Sequence, residues 1–116
     1  KDVKIFNAGD KGISVGEKSR VYAENILIEG ADFGLASKDL SEVELNNISI
    51  KNALFGIAAY QKKPEFGKAI INANNINFDG VKKETLCQIG SLITINDKEC
   101  PSEEVDTKKL YGKWEN

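Results

Sequence analysis

VYAENILI at residues 21–28, VELNNISI at 43–50 and INANNINF at 71–78 are one phrase written three times. The shared pattern is apolar, polar, apolar, polar, asparagine, apolar, polar, apolar. Asn25 and Asn47 stand 22 residues apart, and Asn75 follows after 28. The six extra residues fall within Tyr60-Gln61-Lys62-Lys63-Pro64-Glu65-Phe66-Gly67. A weaker copy, ITIND at 93–97, places Asp97 22 residues beyond Asn75, and DVKI at 2–5 is a partial copy upstream.

A recurrence of this length is the first thing to explain. Alternation with a period of two marks a strand. The asparagine interrupts the alternation and resets its phase, and Asn tolerates the left-handed backbone that a sharp bend needs. Each phrase therefore reads as two short strands joined by a tight bend. A third strand is expected between phrases. Gly12-Ile13-Ser14-Val15, Gly34-Leu35-Ala36-Ser37 and Gly56-Ile57-Ala58-Ala59 fill that place, again 22 residues apart.

Three short strands and three bends per turn predict an all-β fold. The expected form is a single-stranded parallel β-helix solenoid of about four to five coils over residues 1–100. Stacked coils put like residues above like, about 4.8 Å apart. The expected inward columns are Val21, Val43, Ile71, Ile93; Ile26, Ile48, Ile76; Ile28, Ile50, Phe78; and Ile13, Leu35, Ile57. Asn25, Asn47 and Asn75 would form a structural ladder, each amide bonding to neighbouring coils. A leucine-rich repeat shares the period and the asparagine. This chain favours Ile and Val over Leu, however, and its third segment is too short for a helix.

With 116 residues and 41% hydrophobic content, the chain suits one narrow domain. A net charge of −2 leaves no basic face for nucleic acid. Histidine is absent, which removes the commonest acid–base catalyst and metal ligand. No apolar run is long enough to span a bilayer. The chain opens inside a strand phrase, so it reads as a trimmed fragment or mature chain. Its open first coil favours end-to-end or homo-oligomeric association.

Residues 101–116 differ in composition and read as a C-terminal cap over the open end of the sheet. Pro101-Ser102-Glu103-Glu104 can open a helix, with acids early and Lys108 and Lys109 late. Cys87 and Cys100 are the two cysteines, and neither lies in a CxxC pair, which argues against zinc. Cys87 falls in the column of Val15, Ser37 and Ala59 as a small core residue. A disulfide from Cys100 back to Cys87 would staple the tail, and two free thiols are the alternative.

GDKGISVGEKS at 9–19, GLASKDLS at 34–41 and GIAAYQKKPEFG at 56–67 resemble a known repeat. It is the right-handed parallel β-helix repeat near the C-terminal end of secreted bacterial proteins, some of which carry a spore-coat CotH-type domain. The wider relatives are pectate-lyase-like β-helices. The resemblance covers most of residues 2–100. It implies a right-handed coil and an extracellular, cell-surface or periplasmic location.

In pectate-lyase-like enzymes a polysaccharide lies along one parallel sheet and its flanking turn. The matching row here is Glu17, Lys18, Lys38, Asp39, Tyr60, Gln61 and Lys62, a candidate binding row in which an aromatic ring stands beside charges. The plainer reading of that row is a solvated turn with weak charge pairs between coils. The outward strand positions beside it, Ser14, Ala36 and Ala58, are small and unreactive. No acidic cluster suits calcium, no nucleophile has a base beside it, and no glycine loop precedes a helix. The expectation is therefore a structural or binding module with no cofactor, no metal and no catalytic residue. Such a rigid rod would dock on polysaccharide or a cell-surface protein. The alternative is a fragment of a lyase or epimerase-like enzyme acting on uronate polymers.

Overall fold

The computed structural model describes residues 3–16, 18–61 and 68–105. They form β1 (Val3–Val15), β2 (Arg20–Lys38), β3 (Glu42–Tyr60), β4 (Ile70–Cys87), β5 (Leu92–Ile95) and β6 (Lys98–Glu99). The strands lie in chain order in one sheet. β1 to β5 pair in parallel, and β6 turns back antiparallel on β5. Among the described residues there is no helix, and so none long and apolar enough to cross a membrane.

The repeated phrase sets the register. Val21, Val43, Ile71 and Ile93 pair in succession. So do Ile26, Ile48 and Ile76, then Ile28, Ile50 and Phe78, then Ile13, Leu35 and Ile57. Glu42 pairs with Ile70, so the six extra residues leave the ladder undisturbed. A slip of one residue would turn every apolar side chain to the opposite face, and this fixes the pairing.

The long strands cannot be straight. Nineteen extended residues would span about 63 Å, whereas the molecule measures 34 × 33 × 23 Å. Left-handed residues make the corners. Asn25, Asn47 and Asn75 have φ of 58°, 59° and 57°. Asn47 Nδ2 donates to Asn25 Oδ1 at 3.1 Å, which joins two rungs of the expected ladder. Below them the side-chain oxygen of Asn96 accepts from the Asn75 backbone amide at 3.1 Å. A second row of corners, Gly30, Asn52 and Gly80, has φ of 79°, 55° and 66°. The phrase itself gives no sign of it, because these three positions share only the ability to adopt positive φ.

With the chain bent twice, side chains from all three legs of β3 meet. Val43 and Leu45, Ile48 and Ile50, and Ile57 and Ala59 share one apolar cluster with their counterparts on β2 and β4. Each fully buried Val, Leu or Ile contributes about 1.5–3 kcal/mol before chain entropy is counted. Gly34 and Gly56 recur because neighbouring legs approach closely there. A Cβ on Gly34 would lie 2.6 Å from the Gly56 carbonyl oxygen, and one on Gly56 would lie 2.4 Å from that of Glu84.

One expectation at the C-terminal end needs correction. No helix opens at Pro101. Glu103 instead bridges in parallel to Gln88. Its N–H donates to Cys87 O at 2.8 Å and its carbonyl accepts from Ile89 at 2.9 Å. Two edge hydrogen bonds thus hold extended the short segment whose charge pattern suggested a first helical turn. Of the two states the sequence left open for them, Cys87 and Cys100 stand here as free thiols. The rest of the tail lies outside the described residues.

Candidate binding surface

The expected binding row follows the third leg of each strand. Lys18 and Asp39 both adopt positive φ, 54° and 48°. Lys18 N–H donates to Asp39 O at 3.0 Å, and Asp39 N–H to Tyr60 O at 3.2 Å. Among the described residues, backbone bonds thus stack Lys18, Asp39 and Tyr60 from repeat to repeat. Gln61 N–H reaches Gln88 Oε1 at 2.5 Å. Lys38 is half-buried, and Asp39 is buried at 4% exposure. Glu17 and Lys62 lie outside the described residues.

Tyr60 decides what this row can offer. It is 0% exposed, so its ring has no face open to a sugar. It belongs to a second apolar cluster with Phe33, Ala36, Ala58 and Leu86, flanked by Phe55 and Val105. Ala36 and Ala58 were expected to line an open strand face, and they are wholly buried. Their neighbours explain it. Phe33 and Phe55 stack with centroids 4.9 Å apart, and the Lys11 ammonium sits 5.5 Å from the Phe33 centroid. On the next strand Lys83 occupies the position paired with Phe55 and forms an ion pair with Glu103 at 2.9 Å.

The open face lies on the first leg. Arg20, Tyr22 and Glu24 of β2 pair with Glu42, Glu44 and Asn46 of β3. Ile70, Asn72 and Asn74 follow on β4, and Thr94 lies beyond Asn72 on β5. The inward partners Val43, Leu45, Ile71 and Ala73 are all buried, so the alternation turns these polar side chains outward. Tyr22 is 60% exposed. Arg20 pairs with Glu42 at 3.1 Å, both well exposed, which contributes little to stability. The Thr94 hydroxyl donates to Asn72 Oδ1. A groove of about 710 Å³ runs over Arg20, Tyr22, Glu42, Glu44 and Asn72.

This arrangement offers an aromatic ring, amides, a hydroxyl and carboxylates along a flat ladder. Such a set recognises hydroxyl-rich ligands by stacking and by hydrogen bonds. The signal for it was present in the phrase, whose second and fourth letters are Tyr22 and Glu24, Glu44 and Asn46, and Asn72 and Asn74.

Near the second row of corners, burial and the neighbouring Asp10 carboxylate push the Asp32 carboxyl above its usual range, and Lys11 opposes them. No group of His, Cys, Asp and Glu among the described residues could hold a metal ion.

No protein-family model, curated protein or solved structure matches the chain. The β-helix resemblance therefore rests on the residues quoted for it.

Proposed function

We propose that this chain is a stretch of right-handed parallel β-helix, a rigid extracellular rod that works as a structural or binding module and docks on polysaccharide or a partner protein. The observation that carries the coil is the convergence of all three legs of β3 on one core. Val43, Ile50 and Ile57 come from different legs, and each is at most 1% exposed. Handedness and location follow from the resemblance.

The docking reading places the contact on the first leg rather than on the third. Phe33, Phe55 and Tyr60 fill the third-leg face with apolar packing, which speaks against a polysaccharide lying there as in pectate-lyase-like enzymes. Tyr22 supplies the exposed ring, and Glu44, Asn72 and Asn74 supply hydrogen-bonding groups beside it. The carboxylates of Glu24, Glu42 and Glu44 outnumber the Arg20 guanidinium, so a uronate polymer would meet like charge there.

A glycan array with the full chain, followed by titration calorimetry of the hits, tests the docking role. Neutral glycans are expected to bind, and Tyr22→Ala to weaken them roughly tenfold. An array without a hit, or affinity unchanged by Tyr22→Ala, removes this face as the docking surface.

A further inference from the structure

Cys87 and Cys100 are free thiols, yet the backbone brings them to one place. Cys100 N–H donates to the Ile93 carbonyl at 2.8 Å. Cys87 Sγ donates to the Ser91 carbonyl at 3.3 Å, two residues before Ile93. Three residues beyond Cys100, Glu103 N–H donates to Cys87 O at 2.8 Å. Cys100 packs against the apolar cluster that contains Cys87. Both cysteines are therefore bonded to the short stretch 91–93, and the chain after Cys100 is tied to the strand that carries Cys87.

We propose that Cys87 and Cys100 are a convertible dithiol pair that closes to an intramolecular disulfide and fastens residues 98–105 across the ends of β4 and β5. This role is independent of the docking face. The mostly exposed segment is otherwise held at few points, among them the Lys83–Glu103 ion pair and Val105 on the second apolar cluster. β6 is two residues long, and Glu103 makes a single bridge. A cross-link would restrict the same segment in the unfolded chain as well, which is how a disulfide stabilises.

The chemistry needs an external disulfide, for which oxidised glutathione serves. Cys100 is partly exposed and Cys87 is 1% exposed, so Cys100 reacts first. Its thiol loses a proton to solvent, and the thiolate attacks one glutathione sulfur while the other glutathione leaves as thiolate. Cys87 then loses its proton and attacks the Cys100 sulfur of the mixed disulfide, expelling the second glutathione thiolate. Two protein thiols are oxidised to one disulfide, and one glutathione disulfide is reduced to two thiols. Burial pushes both thiols above the usual range, and for Cys87 the neighbouring Cys100 and acidic side chains add to it. Thiolate is therefore scarce near neutrality, and closure speeds up as pH rises.

The test incubates the full chain with oxidised glutathione at mildly alkaline pH, then alkylates it under denaturing conditions and weighs it. The expected product is a monomer lighter by two hydrogens and unalkylated, with tryptic peptides 84–98 and 99–108 joined. Its thermal midpoint should rise by about 5–10 °C. Amide exchange at Ile89 and Glu103 should slow about tenfold. Reductant reverses all of this, and Cys100→Ser never shows it. Cys87→Ala is the second control, because the same column holds Ala59 on the preceding strand. Two alkylated thiols, a lasting glutathione adduct on Cys100, cross-linking only between molecules, or a closed form with unslowed exchange would each overturn the proposal.

Discussion

Asn47 answers two demands at once, a φ of 59° and a side-chain amide bond to Asn25 at 3.1 Å. Glycine would meet the first demand and not the second. Asn47→Gly should therefore cost about 1 kcal/mol, the lost hydrogen bond. Asn47→Ala should cost about 2 kcal/mol, because left-handed strain is added. Urea unfolding of both variants checks this, and equal losses would dismiss the strain. Gly34 makes the opposite case. A Cβ there meets a carbonyl oxygen at 2.6 Å, whereas a Cβ on Gly16 meets nothing within 4 Å. Gly34→Ala should cost about 1–3 kcal/mol, and Gly16→Ala less than about 0.5 kcal/mol. The asparagine corners were legible in the sequence because a bend asks something of the residue that makes it. The reason for the glycine column was not, because the obstacle belongs to the neighbouring leg. Asp32 adds a dependence on pH. Desolvation and Asp10 raise its folded pKa above the ordinary 3.8. Its contribution is thus fully present below 3.8 and lost as pH rises through the folded value. Asp32→Asn should then stabilise the protein near neutrality and lose that advantage in acid, as urea midpoints at two pH values would show.

Among the elements, the first leg behaved as its alternation predicts and the third did not. Residues 34–37 read as a strand with one face inward and a small, open face outward. Both faces are covered, because Phe33 and Phe55 lie outside the repeated tetrapeptide and fold their rings over its outer side. Periodicity reports which residues leave the core, and it is silent on whether a second layer awaits them. Tyr60 is closed to a ligand for that reason, whereas the outward letters of the first leg, Tyr22 among them, meet no second layer among the described residues. The stack gives a test. Phe55→Ala removes a ring packed on Phe33 and next in line to Lys83, and should cost about 3 kcal/mol. It should also loosen the Glu103 bridge, because Val105 packs on the same cluster. Amide exchange at Ile89 in the variant reports that loosening. An Ile89 amide as protected as in the parent would show that the bridge stands without the cluster.

At the scale of the molecule, each strand pairs only with its neighbours in chain order. Stability in such an array is close to a sum of nearest-neighbour terms, so protection should be graded along the stack. β3 has an eighteen- or nineteen-residue strand on either side, while β5 has four residues and a two-residue hairpin partner. Amides of Ile48, Ile50 and Ile57, at most 2% exposed, should exchange only through global unfolding. Asn96 and Cys100, bonded to Ala73 and Ile93, should exchange through opening of the end alone. The difference should reach about 100-fold or more, since local openings cost only part of the global free energy. Gly34→Ala then becomes a diagnostic. It should accelerate the β3 amides by the full loss of global stability and leave those of Asn96 and Cys100 nearly unchanged, because their opening never reaches the second strand. Uniform acceleration would mean that the chain unfolds as one block. Neighbour-by-neighbour pairing would then describe the geometry without describing the energetics.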